Sequence, residues 1–326
     1  MRRFLIVLLV MMLGLVSCVK EVEFNGEQSD PLLVVNGIQQ VGQPARLNVE
    51  KSLFFLDTSK DFRVKDVAVD LYVNGVFKES LQVRDSLITV TYLDWNDEEE
   101  EILVEQLVYA FNYCEGQYIL CAGDQLRFEV RSSEFDEMGI VETKMPEMPK
   151  VISFDTVRID YHKDSEQYEC LFSLKLDDPS GKDYYNIYPL DGMVGFTSSD
   201  PVFADLMNFD VENLVGESTS FYGYGTYNIF SDAYFDGKTY SVSMSVTIWE
   251  GDFEEGMPFT LEVSCVDGDL YQFKKTYDAY VASDPNSMLG MFTEPVQVYS
   301  NVQNGMGIVA AQSQPVVLTI DLTSNF

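Results

Sequence analysis

Apolar and polar residues alternate with a period of two along most of the chain, the spacing of strands that bury one face. Leu32-Leu33-Val34-Val35 leads into the turn signal Asn36-Gly37. Val67 to Val73 stops at Asn74-Gly75, and Val76-Phe77 resumes. Because Asn and Gly both tolerate positive φ, this reads as a hairpin with a type I′ turn. Further strands are expected at Ser86–Leu93, Tyr118–Cys121, Leu126–Val130, Phe154–Tyr161, Tyr168–Leu176, Tyr240–Trp249, Phe259–Val266 and Val316–Leu322. Helical periodicity is scarce. Asp278 to Met291 predicts one short helix, and Asp200-Pro201 to Met207 a second, since Pro suits a first helical position. The expected class is all-β.

The segment Lys144-Met145-Pro146-Glu147-Met148-Pro149-Lys150 is the expected boundary, because two prolines stiffen it and remove two backbone donors. It divides an N-terminal domain, 31–145, from a larger one, 151–326. The first has the length and strand spacing of an immunoglobulin- or fibronectin-like sandwich. The second is a larger antiparallel sandwich or a closed barrel, between which strand patterning does not choose. Asp94 to Glu101 reads as a solvated acidic loop between strands.

The N-terminus departs from this pattern. Met1-Arg2-Arg3 precedes the apolar run Phe4 to Val16, too short to span a bilayer as a helix, which takes about 20 residues. The residues before Cys18 are Leu15-Val16-Ser17, and the four together resemble a bacterial lipobox. That resemblance makes 1–17 a signal peptide, Cys18 the acylated residue and 18–30 a lipidated tether. Several acyl chains on one cysteine hold a protein stably where a single chain does not. The alternatives are a cleaved secretory signal with an incidental Cys, or an uncleaved anchor. Lys20-Glu21-Val22-Glu23 is similar to the surface-export tag of Bacteroidota lipoproteins, so the expected place is the outer membrane, facing outward.

Composition narrows the chemistry. The chain has 53 Asp and Glu against 21 Lys and Arg, a net charge of −32, which argues against nucleic acid as a partner. A single histidine, His162, leaves no set for a His-rich metal site and at most one catalytic triad. Beyond Cys18 stand Cys114, Cys121, Cys170 and Cys265. Cys114 and Cys121 flank Gly116 and would staple neighbouring strands if oxidised; buried free thiols are the equal alternative. Asp177-Asp178-Pro179-Ser180-Gly181 and Asp232 to Asp236-Gly237 are oxygen-rich turns. Calcium is the one cofactor that Asp177, Asp178, Asp232 and Asp236 would suit, although side-chain capping of the turns explains them more cheaply. Phe221-Tyr222-Gly223-Tyr224-Gly225-Thr226-Tyr227 places Tyr222, Tyr224 and Tyr227 as a stacking platform for a sugar, or as an aromatic strand packed on a core. Trp95 and Trp249 read as core residues. No nucleophile elbow, zinc-helix or phosphate-loop motif occurs, so no catalytic residue is assigned and an enzyme is not expected.

Four blocks in the C-terminal half resemble one family. They are Leu176-Asp177-Asp178-Pro179 with Asp183-Tyr184-Tyr185, then Ser199 to Phe203, then Phe230-Ser231-Asp232 with Phe235 to Tyr240. The last is Glu294-Pro295-Val296 with Tyr299 to Val302 and Asn304-Gly305-Met306-Gly307-Ile308. In order, behind a lipobox, they are similar to Bacteroidota lipoproteins described as domain of unknown function 4249. The chain departs from that family at Val309-Ala310-Ala311, where an aromatic residue is usual. The resemblance implies a place beside a TonB-dependent outer-membrane transporter and nutrient uptake, and it carries no catalytic residues. The expectation is therefore a non-enzymatic, outer-membrane lipoprotein that assists such a transporter or captures ligand for it. The alternatives are a surface carbohydrate-binding or glycan-degrading protein, and a structural envelope protein or adhesin.

Overall fold

The structure is a computed structural model that describes residues 29–54, 56–95, 101–190, 195–198, 200–203, 228–283 and 296–323. The first half holds β1 (Leu33–Gln40), β2 (Pro44–Lys51), β3 (Ala68–Val73), β4 (Val76–Ser80), β5 (Gln82–Trp95), β6 (Glu101–Ile119), β7 (Gln125–Arg131) and β8 (Gly139–Lys144). The second holds β9 (Val151–His162), β10 (Gln167–Asp177), β11 (Tyr184–Pro189), β12 (Gly195–Thr197), β13 (Asn228–Ser231), β14 (Thr239–Trp249) and β15 (Met257–Val266). Helix α1 (Gly268–Ala282) follows, then β16 (Val309–Gln312) and β17 (Val316–Leu322). The fold is all-β and sandwich-like, and no sheet closes into a barrel among the described residues.

A nine-stranded sheet runs in the order β13-β11-β15-β16-β1-β2-β6-β5, with β17 also paired to β15. Two four-stranded sheets, β4-β3-β7-β8 and β12-β14-β10-β9, complete the architecture. Alternation along each strand decides which face is covered. In β7, Leu126, Phe128 and Val130 are buried and the residues between are not. They meet Val69 and Leu71 of β3, and Leu33, Val35, Leu47 and Val49 of the long sheet, in one core. In β10, Cys170, Phe172, Leu174 and Leu176 are buried, and they meet Tyr185, Ile187, Phe259 and Leu261 in a second core. There Phe172 and Phe259 stack with centroids 4.7 Å apart.

Residues 31–326 form one compact unit. The segment 145–150 lies between β8 and β9, where the packing passes from the first core to the second. The sheet does not stop there. Val302, Val309 and Ala311, from the far end of the chain, lie in the first core. Strand β16 pairs in parallel with β1, Gly37 opposite Val309 and Gln40 opposite Gln312. It also meets β15 at Val266. Because β16 is covered on both faces, Ala310 and Ala311 are fully buried, Ala310 in a third cluster on the opposite face from Ala311. That third cluster is Leu270 and Tyr271 of α1 against Tyr184, Ile229 and Val266.

Several local expectations hold. Asn74 and Gly75 have φ of 53° and 77°, as a type I′ turn demands. Helix α1 starts ten residues before the expected Asp278, at a cap the periodicity did not reveal: the Asp267 carboxylate accepts the Leu270 N–H at 2.9 Å. The expected continuation beyond Ser283 lies outside the described residues. Asp200 does open a turn, accepting the Val202 N–H at 3.1 Å, but Pro201–Phe203 is a single 3-10 turn, and 204–207 lie outside the described residues. Of the acidic run expected as a loop, Asp94 and Trp95 belong to β5 and Glu101 to β6, Trp95 pairing with Glu101, while 96–100 lie outside the described residues.

Candidate functional site

Among the described residues, two constellations bring polar side chains together, one at a strand-end corner and one on the helix-bearing face of the long sheet. The corner collects both oxygen-rich turns. Asp178 follows β10, Asp183 precedes β11, Asp232 follows β13 and Asp236 precedes β14. One carboxylate oxygen each from Asp178, Asp232 and Asp236 lies within 4.8 Å of the others. Hydrogen bonds tie the turns to each other. Asp178 accepts the Tyr185 hydroxyl at 2.5 Å and the Gly237 N–H at 2.8 Å. Asp232 accepts the Asp183 N–H at 2.9 Å, and Asp236 the Gly181 N–H at 2.9 Å. Burial, and then the crowding of like charges, raises the Asp183 and Asp232 carboxyls above the usual range. Asp177 is outside this set; its exposed carboxylate faces Thr239. The cluster is thus a latch between two turns, with oxygen donors of the type a hard cation takes.

The second constellation is a cavity of about 280 Å³ lined by Gln40, Asn186, Tyr188, Glu262, Ser264, Gln312, Ser313 and Pro315. It lies on the face of the long sheet that carries α1. Along four strands the residue two positions from the apolar cluster is polar: Ile38 gives way to Gln40, Ala310 to Gln312, Val266 to Ser264 and Tyr184 to Asn186. Cross-strand pairing sets them side by side, Asn186 opposite Ser264, Tyr188 opposite Glu262, Gln40 opposite Gln312. Asn186 is only 5 % exposed, and its Oδ1 has no hydrogen-bond partner among the described residues. Among the described residues no lysine or arginine lines the cavity. The sequence reading missed this site because its residues come from four strands. The signal was present: Asn186 interrupts the apolar and aromatic run Tyr184-Tyr185-Asn186-Ile187-Tyr188, and Ser264 stands between Val263 and Cys265.

The other candidates fall elsewhere. Cys18, Tyr222, Tyr224 and Tyr227 lie outside the described residues; the chain is next described at Asn228, which pairs with Ile187. Cys114 and Cys121 do not staple neighbouring strands, because Gly116 lies within β6 rather than at a turn between two strands. Cys114 points into the first core, Cys121 is exposed just past the strand, and both are free thiols, as are Cys170 and Cys265. Burial pushes the Cys114 and Cys170 thiols up to about 12, where little thiolate forms. His162 ends β9 on the surface, its Nε2 3.2 Å from Glu169. Trp249 is not a core residue: it stands 56 % exposed at the end of β14.

The structure so far defines an all-β protein of three sheets with a polar cavity on one face and a carboxylate latch at one corner. The chain belongs to the family described as domain of unknown function DUF4249, whose model matches residues 19–315. No curated protein matches it.

Proposed function

We propose that the protein is a lipid-anchored, non-enzymatic accessory of a TonB-dependent transporter at the outer membrane, capturing ligand or contacting the transporter there. The observation that carries the reading is the spacing between the lipobox-like Leu15-Val16-Ser17-Cys18 and the folded unit, whose first strand begins at Leu33. Fifteen residues, at most about 3.5 Å each, keep the body within roughly 50 Å of its anchor. Confinement to a layer of that depth raises its effective concentration beside any membrane partner. The non-enzymatic part is supported by the free thiols buried in the cores and by His162, whose partner is a surface glutamate.

Two measurements test it. Labelled palmitate fed to cells is expected to reach the wild-type chain and not Cys18→Ala; label on both, or on neither, overturns the anchor. Affinity isolation from a detergent extract, read by mass spectrometry, is expected to recover an outer-membrane transporter in stoichiometric amount, and its absence overturns the partnership. A surface carbohydrate-binding or glycan-degrading protein is the second reading, favoured by the polar cavity. Release of reducing sugar from a glycan panel, lost on carboxylate substitution, would replace the non-enzymatic reading.

A further inference from the structure

We infer that the cavity on the helix-bearing face of the long sheet binds a small neutral polyhydroxylated molecule, of the size and chemistry of one sugar ring. The inference names a site and a ligand class for the ligand-capturing part of the reading above, and it needs no contact with a transporter.

Three observations converge. The first is an unsatisfied acceptor. A buried amide oxygen without a donor weakens the fold, and such groups are rare in folded proteins. Asn186 Oδ1 is such an atom, and its side chain lines the cavity. The fold holds it there by pairing Asn186 with Ile229 on one side and Ser264 on the other. The oxygen itself is sealed from solvent, so a ligand hydroxyl would recover that loss by donating to it once the carboxamide turns toward the cavity on binding.

The second is the balance of the remaining groups. Gln40, Gln312 and Asn186 offer carboxamides, Ser264 and Tyr188 hydroxyls, and Glu262 a carboxylate. Carboxamides and hydroxyls both donate and accept, as ligand hydroxyls do. An ammonium ligand only donates, and would leave the amide N–H groups facing nothing. An anion would meet Glu262 with no cation in the lining to offset it. A neutral polyol satisfies both halves of the set.

The third is size and shape. About 280 Å³ lies at the low end for a ligand pocket, room for one ring rather than a chain. Tyr188, 38 % exposed in the lining, supplies the flat apolar surface on which the C–H face of a sugar rests.

The test uses the full chain in a detergent without a sugar headgroup. Methyl glycosides of glucose, galactose and mannose, and N-acetylglucosamine, are titrated by calorimetry and by saturation-transfer NMR. At least one is expected to bind. Asn186→Leu is expected to weaken that binding tenfold or more while leaving the thermal midpoint unchanged or raised, since it removes an unsatisfied polar atom. Glu262→Gln, on the cavity wall, is expected to weaken binding with no loss of stability. No binding by any of the four probes overturns the inference, as does binding that both variants leave intact. Tighter binding of putrescine than of every glycoside overturns the ligand class. A chain that binds a glycoside through Asn186 but co-isolates with no transporter supports this inference and removes the partnership proposed above.

Discussion

At Gly307 the backbone takes a φ of 114°, a value side chains with Cβ avoid. A Cβ there would run into the carbonyl oxygen of Val35, and one on Gly305 would stand 2.7 Å from the oxygen of Leu33. The reason for such closeness is the ladder that 306–308 makes with β1: Val35 N–H to Met306 O at 2.9 Å, Gly37 N–H to Ile308 O at 2.9 Å. Gly307→Ala is therefore expected to cost about 2 kcal/mol or more, read as a shift of the urea midpoint. Gly251→Ala, where a Cβ meets nothing and φ is not in the left-handed region, is expected to leave stability within about 0.5 kcal/mol. The sequence reading marked Asn304-Gly305-Met306-Gly307 as part of a family block without its cause. That cause is a contact with a strand some 270 positions earlier, which no local pattern contains. The same holds for the latch. Its two turns were each visible as oxygen-rich, but their meeting through Asp178, Asp232 and Asp236 is a tertiary fact, and Asp183 stood in a family block without any sign that it lies beside them.

Elements were more legible than sites, because period-two burial is a local property. Strands β3, β7, β10, β14, β15 and β17 fall where alternation put them. Strand β6 was seen only at its end, since much of its length has β5 alone as a neighbour and need not alternate. The β5–β6 ribbon leaves Leu87, Ile88 and Val108 largely exposed. Two-stranded ribbons have little stability of their own. Amides of 87–90 are expected to exchange with deuterium well before those of 172–176 in β10, read by mass spectrometry of peptic fragments. Helix α1 was misplaced because its start is written in one residue. Asp267 caps Leu270, is bonded by the Thr143 hydroxyl, and is raised by burial to about 7. A carboxyl that binds its proton more tightly in the fold than in the unfolded chain destabilises the fold when ionised. Stability is thus expected to rise as pH falls from 8 towards 5, by at most about 3 kcal/mol from this group. Asp267→Asn keeps a cap and removes the charge, so its urea midpoint is expected to vary less over that range. Asp267→Ala loses the cap as well, at about 1 kcal/mol.

The whole molecule carries a net charge of −32, with carboxylates crowded at the latch and few cations to offset them. Self-repulsion at that charge opposes compactness and is screened by salt, with a Debye length of about 10 Å at 0.1 M. Raising sodium chloride from 20 to 300 mM is expected to lift the thermal midpoint by a few degrees, about what a 1 kcal/mol gain gives for a chain of this size. A midpoint that falls or stays fixed would show that local ion pairs, such as Arg63 with Asp61 and Asp85, outweigh the global field. The all-β class was readable from patterning alone. The joining of the two halves was not, because the long sheet crosses between them through one parallel pairing, and hydrophobic alternation says which face of a strand is covered but not which strand lies beside it.

That pairing has a temporal consequence. Strand β1 pairs on one side with β2, close by in sequence, but meets β16 on the other only across some 270 residues, where the side-chain oxygen of Asn36 accepts the amide of Ile308. Contacts of such sequence separation slow folding, because the loop they close must be ordered first. A polypeptide built this way is expected to complete its widest sheet late in folding, after the local hairpins have formed.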